Sequence, residues 1–149
     1  MARTLGSNGP ATETRIKEVA VRLIARYGFE SMTLRQLAEA AVLQSGSIYR
    51  YYSSKQDLLA SLLVEHMQGL LQDWEAAMPR SDDPRVRLEA FCAFHVKAHT
   101  ERQYDVFIGN MELRSLEPAH FEAVVALRKR YESILSTILR QGADACLRV

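Results

Sequence analysis

SGSIYRYYSSKQDLL, residues 45–59, sets Tyr49, Arg50, Tyr51 and Tyr52 side by side, brackets them with four serines and runs into leucines. Successive helical residues are turned about 100° apart, so these four side chains point to different sides and cannot all be buried. Part of the stretch therefore faces something outside the fold. The flanking sequence indicates what.

Upstream, Thr33 with Gln36 has the spacing of a capping box, opening a short helix that turns Leu34, Leu37, Ala38 and Ala41 inward. A tight break near Val42 and Leu43 leads into another short helix over about 45–52, anchored by Ile48. Before both, Ile16, Val19, Ala20, Leu23, Ile24 and Tyr27 form a helical stripe that Gly28 closes as a left-handed cap. Residues 1–11 are small and polar with Gly and Pro, and read as a disordered tail.

Downstream, Ser54 with Asp57 caps a long helix whose stripe is Leu58, Leu59, Leu62, Leu63, Met67, Leu70, Leu71 and Trp74; Pro79 ends it. Asp83 then Pro84 is an N-cap with proline at the first helical position. The helix it opens carries Val86, Leu88, Phe91, Phe94 and Ala98. A shorter helix is expected over 102–114. After Pro118 a last long one bears Phe121, Val124, Val125, Tyr131, Leu135, Ile138 and Leu139. No strand pattern or internal repeat interrupts this series, so the chain is expected to be all-α.

Composition narrows the function. The 149 residues suffice for one domain with a sizeable core. No apolar run could span a membrane, and MARTLGSNGPAT lacks the apolar region of a signal peptide. The two cysteines make no disulfide framework, and a cytoplasmic setting is the expectation. Net charge is +1, unevenly spread: residues 1–60 hold eight Lys/Arg against five Asp/Glu, residues 61–149 eleven against thirteen. A mildly basic N-terminal third suits a nucleic-acid-facing unit.

Two short helices joined by a tight break behind a longer amphipathic one make a helix-turn-helix candidate. Its third helix would enter the DNA major groove. That accounts for the composition of the opening stretch. Ser45, Gly46 and Ser47 are small, and Gly46 lets backbone N–H groups approach a phosphate although it costs about 1 kcal/mol of helix propensity. Tyr49 and Tyr51 can offer hydroxyls to phosphates, Arg50 can reach a phosphate or guanine edge, and Lys55 adds a contact beside a helix N-terminus. The competing reading is a helical hairpin inside a bundle, but a pure core would not place Arg50, Tyr51 and Lys55 on one exposed rim.

MTLRQLAEAAVLQSGSIYRYYSSKQDLL resembles the N-terminal signature of the TetR family of bacterial transcriptional repressors, and the likeness reaches back through RIKEVAVRLIARYGFE to cover about residues 13–65. The resemblance implies DNA contacts at Thr33, Arg35, Gln44, Ser45, Gly46, Ser47, Tyr49, Arg50, Tyr51 and Lys55. It also implies a helix-turn-helix domain over 12–55, then a helical effector-binding and dimerisation body over 56–149. A small molecule bound there would release a homodimer from double-stranded operator DNA. Where the family usually has glycine at the turn, this chain has Val42, and a β-branched residue tolerates positive φ poorly. Such a turn is either strained or built differently.

Within the body, the expected ligand-binding set is Met67, Leu70, Trp74, Phe91, Phe94, His95, Phe107, Met111, Arg114, Phe121, Val125 and Arg128. FIGNMELRSLEPAHFEAVVALRKRYE resembles C-terminal regions of family members that regulate fatty-acid, acyl-CoA or sterol degradation. That implies an effector such as an acyl-CoA or another lipophilic acid, with Arg114, Arg128, Lys129 or Arg130 meeting its phosphate or carboxylate. Family members commonly continue with two more long helices, so the chain reads as C-terminally truncated. The alternative function is therefore a relative acting through protein contacts or without specific DNA binding.

Cys92, His95 and His99 fall within about 60° of arc on one helix, a spacing that suits zinc or copper. With no further Cys/His cluster to complete a site, the reading is a core cysteine beside two partly exposed histidines, and no metal or cofactor is expected. Nor is an enzyme. The chain has no glycine-rich phosphate loop or nucleophile elbow, and Glu112, Glu117 and His120 have no more than helix-surface spacing.

Overall fold

The stripe expected on the first helix is the face it buries: Ile16, Ala20 and Ile24 on α1 (Gly9–Tyr27) are all at most 1% exposed. The computed structural model describes residues 9–146, and among them every regular element is helical. Gly28 ends α1 at φ 83°, its N–H on the Ile24 carbonyl at 2.8 Å, as a left-handed cap requires. Two expectations for α1 need correction. The helix starts at Gly9, so residues 9–11 of the expected tail are helical, with Pro10 in a first turn where its missing N–H costs nothing; residues 1–8 lie outside the described residues. Tyr27 lies beyond the core end of the stripe and is 54% exposed, with the Arg26 guanidinium 5.1 Å from its ring centroid.

α2 (Leu34–Ala40) begins at the expected capping box. The Gln36 N–H donates to the Thr33 hydroxyl at 3.1 Å, and the Thr33 N–H donates to Gln36 Oε1 at 2.9 Å. It ends with the Leu43 N–H on the Ala38 carbonyl at 2.8 Å and the Val42 N–H on the Glu39 carbonyl at 3.0 Å. That is a Schellman pattern, and it demands a left-handed residue between. Val42 supplies it at φ 56°. The turn is thus built as a glycine would build it, with a strained β-branched residue in glycine's place.

The helix expected over 45–52 is a tighter 3-10 helix, Ser45–Arg50, with Tyr51 as its cap. Ile48, fully buried, pins it to the core, and Tyr52 follows at 5% exposure. α3 (Lys55–Ala77) is capped by Ser54, whose hydroxyl accepts the Asp57 N–H at 3.0 Å, and it buries every residue of the expected stripe.

α4 (Pro84–Glu101) is capped by Asp83 with proline in the first turn. The helix expected over 102–114 is divided: α5 (Gln103–Met111) stops at Glu112, and a 3-10 turn, Leu113–Ser115, follows. α6 (Pro118–Cys146) closes the described chain. Val86 on α4 and Phe121 and Leu139 on α6, expected inward, are 40%, 39% and 51% exposed.

Two apolar clusters result. Ile16, Leu37, Ile48, Leu58, Leu59 and Leu63 knit the first three helices to the start of α3, and Ile108 and Val124 of the body join them. Farther along α3, Met67, Leu70 and Trp74 pack with Phe91, Tyr131 and Ile138. One helix runs through both. No helix among the described residues is long and apolar enough to cross a membrane.

Candidate functional site

The four consecutive side chains of the opening stretch divide as helical geometry demands. Tyr49 and Arg50 face outward, Tyr51 is half-buried, and Tyr52 is inside. Thr33, Arg35, Gln44, Ser45 and Gly46 are exposed, and Ser47 is half-buried. Gly46 has open space where a side chain would stand. Arg35, Gln44 and Ser45 line one shallow concavity with Glu39 and Leu43. Lys55 is the exception on this rim. Its ammonium donates to the Glu30 carbonyl at 3.3 Å and sits 4.6 Å from the Phe29 ring centroid, which ties it to the loop after α1.

Behind the rim lies a polar brace that sequence reading did not anticipate. Lys17 on α1 binds Glu13 at 3.0 Å and Glu65 of α3 at 2.8 Å, while Tyr52 donates to Glu13 at 3.4 Å. Burial works against the Lys17 charge, yet the hydrogen bonds it donates to the two carboxylates prevail and hold its pKa above the ordinary lysine value. Burial pushes the Tyr52 phenol up to about 12. This fixes the residues after the 3-10 helix to both α1 and α3.

A second set of bonds ties the turn after α5 to the loop after α1 and to the first turn of α3. Glu112 accepts the Phe29 backbone N–H at 3.0 Å and the Ser115 hydroxyl at 2.8 Å. The Gln56 amide donates to the Ser115 carbonyl at 2.7 Å and accepts the Glu117 N–H at 3.0 Å.

Within the body a cavity of about 210 Å³ opens between α3, α4, α5 and α6. Of the residues expected to hold a ligand, Met67, Leu70, His95 and Arg128 line it. Trp74, Phe91 and Phe94 form the aromatic cluster behind, with Trp74 edge-on to Phe91 at 5.1 Å between centroids. Phe107, Met111, Arg114 and Phe121 are exposed, Val125 is half-buried, and none of these five lines the cavity.

Arg128 does not present a free guanidinium, for its donors reach the Gly109 carbonyl at 2.9 Å and Asn110 Oδ1 at 3.4 Å, finishing the C-terminus of α5. His66, His99, Val106, Tyr131 and Glu132 complete much of the lining. The His99 and Tyr131 contributions were missed because two helices distant in sequence, α4 and α6, bring them together.

Burial, then the charges of Arg102, His99 and Arg128, lowers the His66 pKa to about 4. His95 is lowered by burial and by His99, whose ring centroid is 3.7 Å from its own. Both imidazoles are neutral near pH 7. Cys92 is exposed, against its expected place in the core. Among the described residues no cluster of histidine, cysteine or carboxylates has a metal-holding arrangement.

Comparison with known proteins bears on both halves. Residues 16–62 match the family described as "Bacterial regulatory proteins, tetR family", and residues 81–147 match "Tetracyclin repressor-like, C-terminal domain". The chain is 28% identical over 138 residues to the HTH-type transcriptional repressor KstR2 of Rhodococcus jostii, covering 93% of this chain but 63% of that protein. It thus spans less than two thirds of that relative's length. A regulatory protein of the tetR family from Rhodococcus RHA1 has 27% identity and a TM-score of 0.85, over 90% of this chain and 70% of that one. AibR, solved with isovaleryl coenzyme A and operator DNA, has 22% identity and a TM-score of 0.82, over 91% and 74% of the two chains, a likeness of fold. With both its halves matched, this chain belongs to the TetR family of bacterial regulatory proteins.

Proposed function

We propose that the protein is a transcriptional repressor that binds operator DNA as a homodimer through the rim around the 3-10 helix Ser45–Arg50, and leaves it when a small lipophilic effector occupies the body cavity. The observation that carries this reading is the course of α3. Its first turn is packed under the recognition helix through Leu58 and Leu59, and its middle lines the cavity through His66, Met67 and Leu70. A ligand that prefers one setting of α3 thereby biases the rim.

Arg35, Gln44, Ser45, Gly46, Tyr49 and Arg50 are the residues offered to DNA, with Thr33, Ser47, Tyr51 and Lys55 at the margin. The effector is an acyl-CoA or a related acyl compound, in keeping with the ligand named for AibR. At about 210 Å³ the cavity is below the usual range for drug-sized ligands, so it holds the acyl end alone. Fluorescence anisotropy with DNA flanking the protein's own gene, followed by titration with isovaleryl-CoA and longer acyl-CoAs, tests the reading. Release at micromolar acyl-CoA, with coenzyme A inert, is expected. Operator binding unmoved by every acyl-CoA would remove the effector half of the proposal.

A further inference from the structure

We infer that Glu39 is a specificity-determining residue of the rim, its carboxylate accepting the N4 amino group of a cytosine in the DNA major groove. This rests on the reading of the rim as the operator-binding surface and names a base that it selects. From Ser31 to Gln56 the chain has one acidic residue, Glu39, against Arg35, Arg50 and Lys55. Its side chain is exposed on α2 and lines the same concavity as Arg35, Gln44 and Ser45. Arg35 stands one turn earlier, a spacing at which helices commonly pair opposite charges. Yet none of the ion pairs among the described residues includes either side chain. Both face the concavity with their charges uncommitted.

A lone carboxylate is costly on a surface that approaches phosphates, for DNA carries one negative charge per about 1.7 Å of its axis. It weakens binding to every sequence except one that offers it a donor. In the major groove the donors are the amino groups of cytosine and adenine, while guanine and thymine present acceptors. An ionised carboxylate can only accept. Adenine sets its N7 acceptor beside the amino group, so cytosine is the base that suits a carboxylate. Arg35 completes the match. Side chains at i and i+4 on a helix stand about 5–6 Å apart, and a guanidinium takes guanine O6 and N7 together. One G·C pair, or two neighbouring ones, thus meets Arg35 through guanine and Glu39 through cytosine. On unrelated DNA the Glu39 charge only repels, which widens the gap between the right site and the wrong ones.

The test titrates the full chain into labelled duplexes from beside the gene, each base pair replaced in turn, and into one random-sequence duplex. Anisotropy gives the Kd of each. For the wild type, replacing one C·G pair in each half-site is expected to weaken binding at least about tenfold, or about 1.4 kcal/mol. Glu39→Ala should be indifferent to that replacement. It should also bind the random duplex at least about twofold more tightly at low salt, with one repulsive charge removed. Glu39→Gln should move the preference at that position from cytosine towards adenine, whose N6 and N7 an amide engages together. A purely structural role would not produce such a switch. Both variants keep a good helix former at an exposed position of α2. Base preferences of Glu39→Ala that match the wild type at every position overturn the inference, and so does weaker binding of that variant to the random duplex. A wild type that holds the random and flanking duplexes equally would strike the repressor reading itself, and this inference with it.

Discussion

The carboxylate of Glu112, just past the end of α5, accepts the backbone N–H of Phe29 in the loop between α1 and α2 at 3.0 Å. One side chain of the body thereby holds the helix-turn-helix by its main chain, and the same carboxylate accepts the Ser115 hydroxyl. Glu112→Ala strips both donors of their acceptor and should lower unfolding free energy by about 2 kcal/mol, the usual cost of losing hydrogen bonds to a charged group. Glu112→Gln keeps an acceptor oxygen and should cost less than half as much. Urea unfolding followed by circular dichroism checks the order.

Val42 sits at φ 56° with 84% of its surface in solvent, so its side chain contributes strain and almost no packing. A left-handed conformation costs a residue with a Cβ about 1–2 kcal/mol. Val42→Gly is expected to raise stability by about 1 kcal/mol, read as a higher urea midpoint at unchanged slope. A lower midpoint would show that Val42 makes a contact this account does not give it.

Gly46 separates fold from recognition. No atom lies within 4 Å of the position its Cβ would take, so Gly46→Ala has room in the isolated protein. Thermal stability should hold or rise slightly, since alanine is the better helix former. Affinity for operator DNA should fall at least tenfold if backbone and phosphate meet there. Unchanged affinity would move the DNA backbone away from this residue.

Acid should loosen the body. His66 has an ordinary pKa near 6.5, which burial lowers to about 4 in the fold. Between those values the unfolded chain binds a proton that the folded one refuses, so stability rises with pH across that window and is lost as pH falls through it. His95 is lowered too and adds to the same trend. The expected slope is on the order of 1 kcal/mol per pH unit. Denaturation at several pH values from 4.5 to 6.5 should show it, and His66→Gln should flatten it.

Much of this architecture is legible in sequence because local chemistry dictates it. The Thr33–Gln36 capping box, the Ser54 cap, the Asp83–Pro84 start and the Gly28 stop all stand where spacing puts them. The α3 stripe is buried throughout, since a long helix between two clusters has a single apolar face to offer. The short helix expected over 45–52 proved tighter than its pattern suggested. Ile48 alone anchors Ser45–Arg50, and nothing in a six-residue stretch distinguishes a 3-10 from an α turn.

Reading failed where contacts join distant segments. Phe107, Met111 and Phe121 have the composition of a ligand wall but stand on the outer side of α5 and α6. The His95–Tyr131 bond links residues 36 apart, and Lys17 reaches 48 residues along the chain to Glu65. Neither pairing leaves a local signature. Lys55 illustrates the same limit, because its sequence position beside the recognition helix says nothing of the Glu30 carbonyl that receives it.

The central claim is that the rim of Tyr49 and Arg50 reads DNA. The most direct measurement is anisotropy titration of labelled DNA from beside the gene at 50–300 mM salt, with excess nonspecific competitor, for the wild type and for Tyr49→Ala and Arg50→Ala. Both residues are exposed, so neither change should disturb the fold. The account predicts binding that survives competitor, weakens steeply with salt as phosphate contacts release counterions, and drops at least tenfold in each variant. Binding abolished by competitor, or indifferent to both substitutions, would contradict it.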